Sequence, residues 1–170
     1  MLSYIFDRLP IDDAIDTLSF SLSGNFRGNF YSGIGVVEGK SSDRIVFSIP
    51  QYNDSVFFAL TRSDASHVAR ILANLEDYER ETGNKLNFGE IIDIPASNEK
   101  MDDLCSSVMI LRTATAPYLR NVPDKEVIGG NEINFLFAIP LSRDEVIFRN
   151  NFGHDRLMDE FAKTSKNIFF

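Results

Sequence analysis

The amino-acid sequence predicts an α+β domain with a mixed, mainly antiparallel sheet and helices packed mostly on one side. Three observations support this fold class. Short apolar segments with strand character come first, one long amphipathic helix separates them from further strands, and the last elements are helices. Strands and helices do not alternate strictly, which favours α+β. With 170 residues, 44% of them hydrophobic, we predict one domain over residues 1–170.

The first third of the chain predicts strands separated by turns. Residues 1–15 are expected to form a short helix or an arm, which Pro10 interrupts. Residues 17–23 alternate between polar and apolar, the period of a half-buried strand. The glycine-rich segment 24–39 predicts turns and bulges, because it lacks the spacing of a dinucleotide or phosphate loop. Further strands are predicted at 34–37, 44–49 and 55–60, the last two as a hairpin.

The clearest helix is predicted over residues 63–82. Either Ser63 or Asp64 caps it, and Gly83 ends it, since glycine is favoured just after the last helical turn. Apolar residues recur along one side at helical spacing, namely Val68, Ile71, Leu72, Leu75 and Tyr78. This stripe predicts a helix that packs one face against the sheet.

Two acidic clusters are the candidate partner-binding residues. Carboxylates in the last turns of the long helix oppose the helix dipole and repel one another. A cation from a partner would relieve that conflict, whereas the alternative is a solvated acidic face. A second cluster follows in a polar loop predicted over 95–103. The candidate residues are Glu76, Asp77, Glu79, Glu81, Glu99, Asp102 and Asp103.

The second half of the chain predicts four more strands. They are expected at 88–94, at 107–111 as a central strand, at 124–128 as an edge strand within a long loop, and at 133–139. The last of them is a nearly continuous apolar run, which is typical of a strand covered on both faces. Pro140 should end it, because proline cannot donate a hydrogen bond to a neighbouring strand.

The segment 132–163 has the most specific local pattern in the chain. Ser142 and Glu145 have the spacing of a capping box, with Leu141 and Val146 as the hydrophobic staple. Gly153 should end this helix, and His154 or Asp155 should cap a second one whose apolar side carries Leu157, Met158 and Phe161. We therefore expect structural roles for Pro140, Ser142, Glu145 and Gly153.

Charge limits the kind of partner. The chain has 17 basic and 25 acidic residues, a net charge of −8. This argues against nucleic-acid binding and permits a basic protein partner. We expect a soluble cytoplasmic protein, because no signal-peptide pattern and no apolar run of membrane-spanning length occur.

No residue set has the spacing of a catalytic or metal site, and we predict neither a metal nor a cofactor. His67 and His154 each lack a ligand-spaced partner. Cys105 is the single cysteine and lies in an apolar run, so we expect a small buried core residue. A cysteine-dependent enzyme is the alternative from another class, and it would need a base or a cation near the thiol.

The passage FLFAIPLSRDEVIFRNNFGHDRLMDEF resembles the C-terminal signature of the suppressor of fused (SUFU-like) family. The matching positions are Ile139-Pro140, Glu145, Gly153, Leu157 and Phe161. Upstream, the long helix, LNFGEIIDIP and SVMIL resemble the preceding segments of that family. The matches span residues 44–163, of which 132–163 are distinctive, and the family's tryptophans are absent.

The resemblance implies a non-enzymatic protein-binding domain. Animal members bind and restrain a transcription factor, and many bacterial members resemble immunity proteins that neutralise a cognate toxin. We therefore expect an immunity-type protein that binds its partner stoichiometrically, possibly a basic toxin. A general regulatory adaptor is the alternative within the same class.

Overall fold

The architecture is that of a computed structural model, which describes residues 1–22, 27–35, 43–50, 54–94 and 105–170. The predicted loop 95–103, with Glu99, Asp102 and Asp103, therefore lies outside the described residues. The same holds for residues 36–37 of the predicted strand 34–37 and for part of the glycine-rich segment.

Four α-helices and eight strands make up the described fold. The helices are α1 Leu2–Phe6, α2 Ala65–Thr82, α3 Arg143–Phe152 and α4 His154–Thr164. The strands are β1 Ile11–Ser21, β2 Arg27–Gly35, β3 Arg44–Ser48, β4 Ser55–Thr61, β5 Ile91–Asp93, β6 Ser107–Arg112, β7 Lys125–Ile128 and β8 Asn131–Leu141. A short 3-10 helix, Thr113–Thr115, follows β6.

One mixed sheet contains all eight strands, in the order β1-β2-β3-β4-β8-β6-β5, with β7 also paired to β8. The β4–β8 pair is parallel and the other pairs are antiparallel. This confirms the predicted mixed, mainly antiparallel sheet, the β3–β4 hairpin and the edge strand β7. The strand predicted as central, β6, lies between β8 and the edge strand β5.

Side chains of the interior strands alternate between two cores on opposite faces of the sheet. In β4, Phe58 faces one core, whereas Phe57 and Ala59 face the other. The first core is covered by α1, α4 and residues 116–122, with partly buried residues of α3, and the second by α2. Three of the four described helices thus lie on one side of the sheet, as the sequence predicted.

The glycine-rich segment forms more strand and less turn than the sequence predicted. Strand β2 starts at Arg27, runs through Gly33, and pairs with β1 and β3. The pairing of β1 with β2 shifts between Ile11 and Ile15. A Cβ atom at Gly33 would overlap Cγ2 of Ile11, so this glycine permits a close approach of two strands.

Pro140 does not end its strand, which corrects the prediction. Strand β8 continues to Leu141, and Pro140 is paired in register with Val108 of β6. The pairing of β8 with β4 stops earlier, at Phe137. Residue 140 therefore does not have to donate a hydrogen bond to β4. A proline, which has no N–H group, is tolerated at this position.

The predicted capping box is present at the start of α3. The Glu145 amide donates to Ser142 Oγ at 3.3 Å, and the Ser142 amide donates to Glu145 Oε2 at 2.8 Å. Gly153 ends α3 with φ 88, as predicted. The expected cap at His154 or Asp155 is wrong, because His154 is already helical and α4 has Gly153 at its N-cap without a side-chain hydrogen bond.

The apolar residues around this unit are placed as predicted. Leu157 and Phe161 of α4 are buried, and Met158 packs against the same core. Leu141 is fully buried and Val146 is partly buried in that core, consistent with a hydrophobic staple.

We expect Ser142→Ala to lower the free energy of unfolding by about 1 kcal/mol, because the side chain satisfies an otherwise unpaired helix N–H. Urea denaturation followed by circular dichroism measures this change. Ser165→Ala is a matched control, since Ser165 is exposed beyond the end of α4. A Ser142 variant as stable as the control would contradict a stabilising capping box.

Candidate protein-interaction site

Two of the predicted partner-binding carboxylates are buried, so their expected exposure is wrong. Glu76 is 0% and Glu79 is 4% exposed. Glu79 Oε1 accepts from the Leu86 amide at 2.7 Å and from Ser55 Oγ at 3.1 Å. The helical spacing indicated this burial, because Glu76 and Glu79 lie four residues after Leu72 and Leu75. The two carboxylates therefore continue the buried face of the helix.

The remaining carboxylates of this cluster lie at the surface end of α2. Asp77 Oδ1 is 2.6 Å from Arg80 Nη2, and the Asp77 side chain is 13% exposed. Glu81 is 64% exposed and lies 3.6 Å from the same guanidinium group. Partner binding by Asp77 and Glu81 remains a prediction, as it does for Glu99, Asp102 and Asp103.

A groove lies between the end of α2, the edge strand β5 and α3. We call it the edge groove, and its volume is about 510 Å³. It forms because α2 ends before Gly83, after which the chain crosses to the sheet edge and enters β5 at Ile91. Its lining residues are Tyr78, Asn84, Lys85, Leu86, Asn87, Glu90, Ile91, Ile92 and Arg149.

The turn before β5 is held by hydrogen bonds from several elements. The Asn87 amide donates to Glu90 Oε2 at 2.8 Å, and the Gly89 amide donates to the Ile110 carbonyl of β6. Arg149 of α3 donates to the Gly89 carbonyl at 3.2 Å. A Cβ atom at Gly89 would lie 3.3 Å from the His154 ring, so the turn packs closely on the first residue of α4.

Residues 166–170 pack along the sheet beside β4. Phe169 forms a parallel bridge with Leu60, and the Phe170 amide donates to the Leu60 carbonyl at 2.9 Å. Lys166 pairs with Glu145 at 2.6 Å, which links this segment to the capping box of α3. These contacts hold the apolar end of the segment against the sheet.

Buried Asp43 and Tyr118 form a polar cluster with the exposed Arg62, and this cluster contacts the same segment. Asp43 is 5% exposed and accepts from Arg62 Nε at 2.7 Å and from the Tyr118 hydroxyl. The Arg62 guanidinium lies 3.9 Å from the centre of the Phe169 ring. Burial and the hydrogen bond to Asp43 raise the pKa of Tyr118 to about 12. Sequence periodicity carried no signal for this cluster, because its members are far apart in the chain.

The Tyr118 hydrogen bond predicts a stability difference that depends on pH. Below pH 10, Tyr118→Phe should lower the free energy of unfolding by about 1 kcal/mol. As pH rises from 10 to about 12, the unfolded chain ionises before the folded one, so the advantage of the native protein should disappear. Urea midpoints of both proteins across this range measure it, and a constant difference would contradict the assignment.

Cys105 lies just before β6 and is half-buried, not fully buried as predicted. Its thiol donates to the Ser107 carbonyl at 3.6 Å. Burial raises the pKa of the Cys105 thiol to about 11, although backbone hydrogen bonds oppose part of this rise. The described residues include no group of three or more potential metal ligands.

We expect the folded protein to resist thiol labelling at neutral pH. Compared with an unfolded thiol of pKa 9.0, the folded state should contain about 100-fold less thiolate. The rate of reaction with a chromogenic disulfide measures this, with the protein in guanidinium chloride as the control. Equal rates in the two states would contradict the raised pKa, and a faster rate in the folded state would favour the cysteine-dependent enzyme.

No helix of the described segments combines the length and the apolar composition that a membrane crossing requires.

Comparisons with known proteins agree with the fold. The family model described as suppressor of fused protein (SUFU) matches residues 45–169. A SUFU homologue from Neisseria gonorrhoeae is 14% identical with a TM-score of 0.70, and the match covers 99% of this chain and 88% of that one. No curated protein sequence matches the chain.

Two further solved structures are more distant. The Sufu–Fu complex is 13% identical with a TM-score of 0.48, and the match covers 89% of this chain and 69% of that one. Drosophila Suppressor of Fused is 12% identical with a TM-score of 0.48, with 89% and 38% covered. The family match over most of the chain shows that this protein belongs to the suppressor of fused family.

Proposed function

We propose that this protein is a non-enzymatic, immunity-type protein, which neutralises a cognate toxin by binding it stoichiometrically in the cytoplasm. The edge groove is the observation that supports protein binding most directly. It joins a sheet edge to the exposed aromatic side chain of Tyr78 on α2. Exposed strand edges and aromatic side chains are frequent features of protein interfaces.

Charge supports a basic partner. The net charge of −8 would speed encounter with a cationic protein at low ionic strength. Glu81 contributes to this field from the exposed end of α2, where the helix dipole is also negative. A toxin that acts on nucleic acid would present such a cationic surface, and the bound protein would cover it.

A general regulatory adaptor is the second candidate, and family membership favours it equally. Its partner need not be a toxin or basic. The two candidates differ in one measurable property, because an immunity protein protects cells from one particular toxin, whereas an adaptor alters the activity of a regulator.

Co-expression with each protein encoded beside its gene tests the proposal. We expect one of them to be toxic alone, to be tolerated when co-expressed, and to co-purify in a fixed ratio. Asp77→Asn combined with Glu81→Gln should slow association at low salt more than at high salt. Asp159→Asn combined with Glu160→Gln on α4 is the charge-matched control. If no neighbouring product binds, the immunity function is wrong.

A further inference from the structure

The docked segment 166–170 fills a gap in the sheet. Strands β4 and β8 pair in parallel as far as Phe58 and Phe137. Beyond this point Leu60 pairs with β3 on one side, and on its other side it bridges to Phe169. The segment therefore takes the place beside β4 that β8 has left, and it covers a strand edge that would otherwise be open.

The contacts of this segment combine shape, charge and backbone pairing. Phe169 packs on the first core and Phe170 on the second, so the two side chains anchor the segment on opposite faces of the sheet. Thr61 Oγ1 donates to the Phe170 carbonyl at 3.1 Å. Lys166 Nζ lies 2.6 Å from Glu145 Oε2, and the two side chains are 14% and 24% exposed. The site beside β4 is therefore complementary to the sequence of this segment, from whichever chain the segment comes.

The hinge that returns the segment to its own chain is strained. Helix α4 ends at Thr164, and Ser165 reverses the chain with φ 53 and ψ 59. Among the residues that the structure describes, Ser165 is the single non-glycine residue with a positive φ. This left-handed conformation brings Cβ close to the following carbonyl oxygen, a conflict that glycine lacks. An extended residue 165 would relieve the conflict and would direct the segment away from its own sheet.

We propose that two copies of this chain exchange residues 166–170, so that the segment of each copy docks beside β4 of the other. The contacts of the segment with its site reform in the exchanged dimer, since neither the segment nor the site has changed. The exchange also relieves the strain at residue 165 once in each chain, and this gain opposes the entropy lost on association. The partner of this surface is thus a second copy of the chain, and the inference does not depend on a toxin.

Two charge reversals test the exchange. Lys166→Glu places two carboxylates together within one chain, and Glu145→Lys places two ammonium groups together. Each variant alone should remain folded, which circular dichroism checks, and should dock its own segment poorly. In an exchanged heterodimer of the two variants, the altered segment of one chain meets the altered site of the other, and the two native groups also meet. Both ion pairs are therefore restored.

Native mass spectrometry of the incubated mixture, with one variant ¹⁵N-labelled, measures the result. We expect heterodimers about tenfold above the statistical proportion, because each homodimer keeps two repulsive contacts. A statistical mixture of dimers would mean that the chains associate without exchange. Monomers alone at every protein concentration, for the native protein and for the mixture, would mean that they do not associate. Either result would overturn the proposal.

Variants of the hinge test the role of strain. Ser165→Gly should lower the association constant of the dimer about tenfold, because glycine adopts the left-handed conformation without a Cβ conflict at either hinge. Ser165→Ala is the matched control, since it removes the hydroxyl group, keeps Cβ, and should dimerise like the native protein. Sedimentation equilibrium over a range of protein concentrations measures both constants. Equal association of the two variants would also overturn the proposal, because residue 165 would then not be the hinge.

Discussion

Replacing Glu79 with alanine should lower the free energy of unfolding by about 3 kcal/mol. The substitution removes a buried carboxylate that accepts from the Leu86 amide and from the Ser55 hydroxyl. Both donors are buried, and leaving them without an acceptor costs more than the hydrogen bonds alone contribute. Urea denaturation followed by circular dichroism measures the change.

Glu81→Ala is the matched control, since it removes a carboxylate of the same helix that is 64% exposed. Its effect should stay within about 0.5 kcal/mol, as is usual at exposed positions. Hydrogen exchange gives a second measurement, because the Leu86 amide should lose protection in Glu79→Ala and keep it in Glu81→Ala. Equal stability of the two variants would show that Glu79 does not organise the path from α2 to the edge groove.

Replacing Asp43 with alanine should also cost about 3 kcal/mol, because it leaves the buried Tyr118 hydroxyl without its acceptor and Arg62 without its ion pair. The effect should extend to residues 166–170, since Arg62 packs on Phe169. We expect faster exchange of the Phe170 amide, which donates to Leu60 in the native protein.

A double-mutant cycle with Tyr118→Phe tests the coupling. If Asp43 acts through the hydrogen bond, Asp43→Ala should cost less in the Tyr118→Phe background than in the native protein. Strictly additive effects would mean that the two residues act independently. Asp54→Ala is the control, because the Asp54 carboxylate pairs with Lys85 on the surface and its loss should be nearly neutral.

Features that depend on neighbouring residues were predictable from the sequence. The capping box of Ser142 and Glu145, the end of α3 at Gly153 and the extent of α2 each follow from hydrogen bonds and spacing within a few residues. The hairpin of β3 and β4 belongs to the same class, because it depends on two apolar segments joined by a short connection.

The candidate binding residues were predicted less well, for a physical reason. A run of carboxylates indicates a charged face only if the helix rotation is known, and the rotation depends on what the helix packs against. Here α2 turns Glu76 and Glu79 inward and leaves Glu81 outward. Arg149 gave no sequence signal, because its position beside β5 requires α3 to pack near an edge strand from the middle of the chain.

The sequence alone determined the helices, most strands, the acidic character and the family, because local hydrogen bonding, periodicity and composition encode them. Only the tertiary structure decided the strand order, the passage of β8 through Pro140, the burial of Glu79 and the place of residues 166–170 beside β4. Each of these depends on contacts between segments far apart in the chain, and such contacts form only when the whole sheet has assembled.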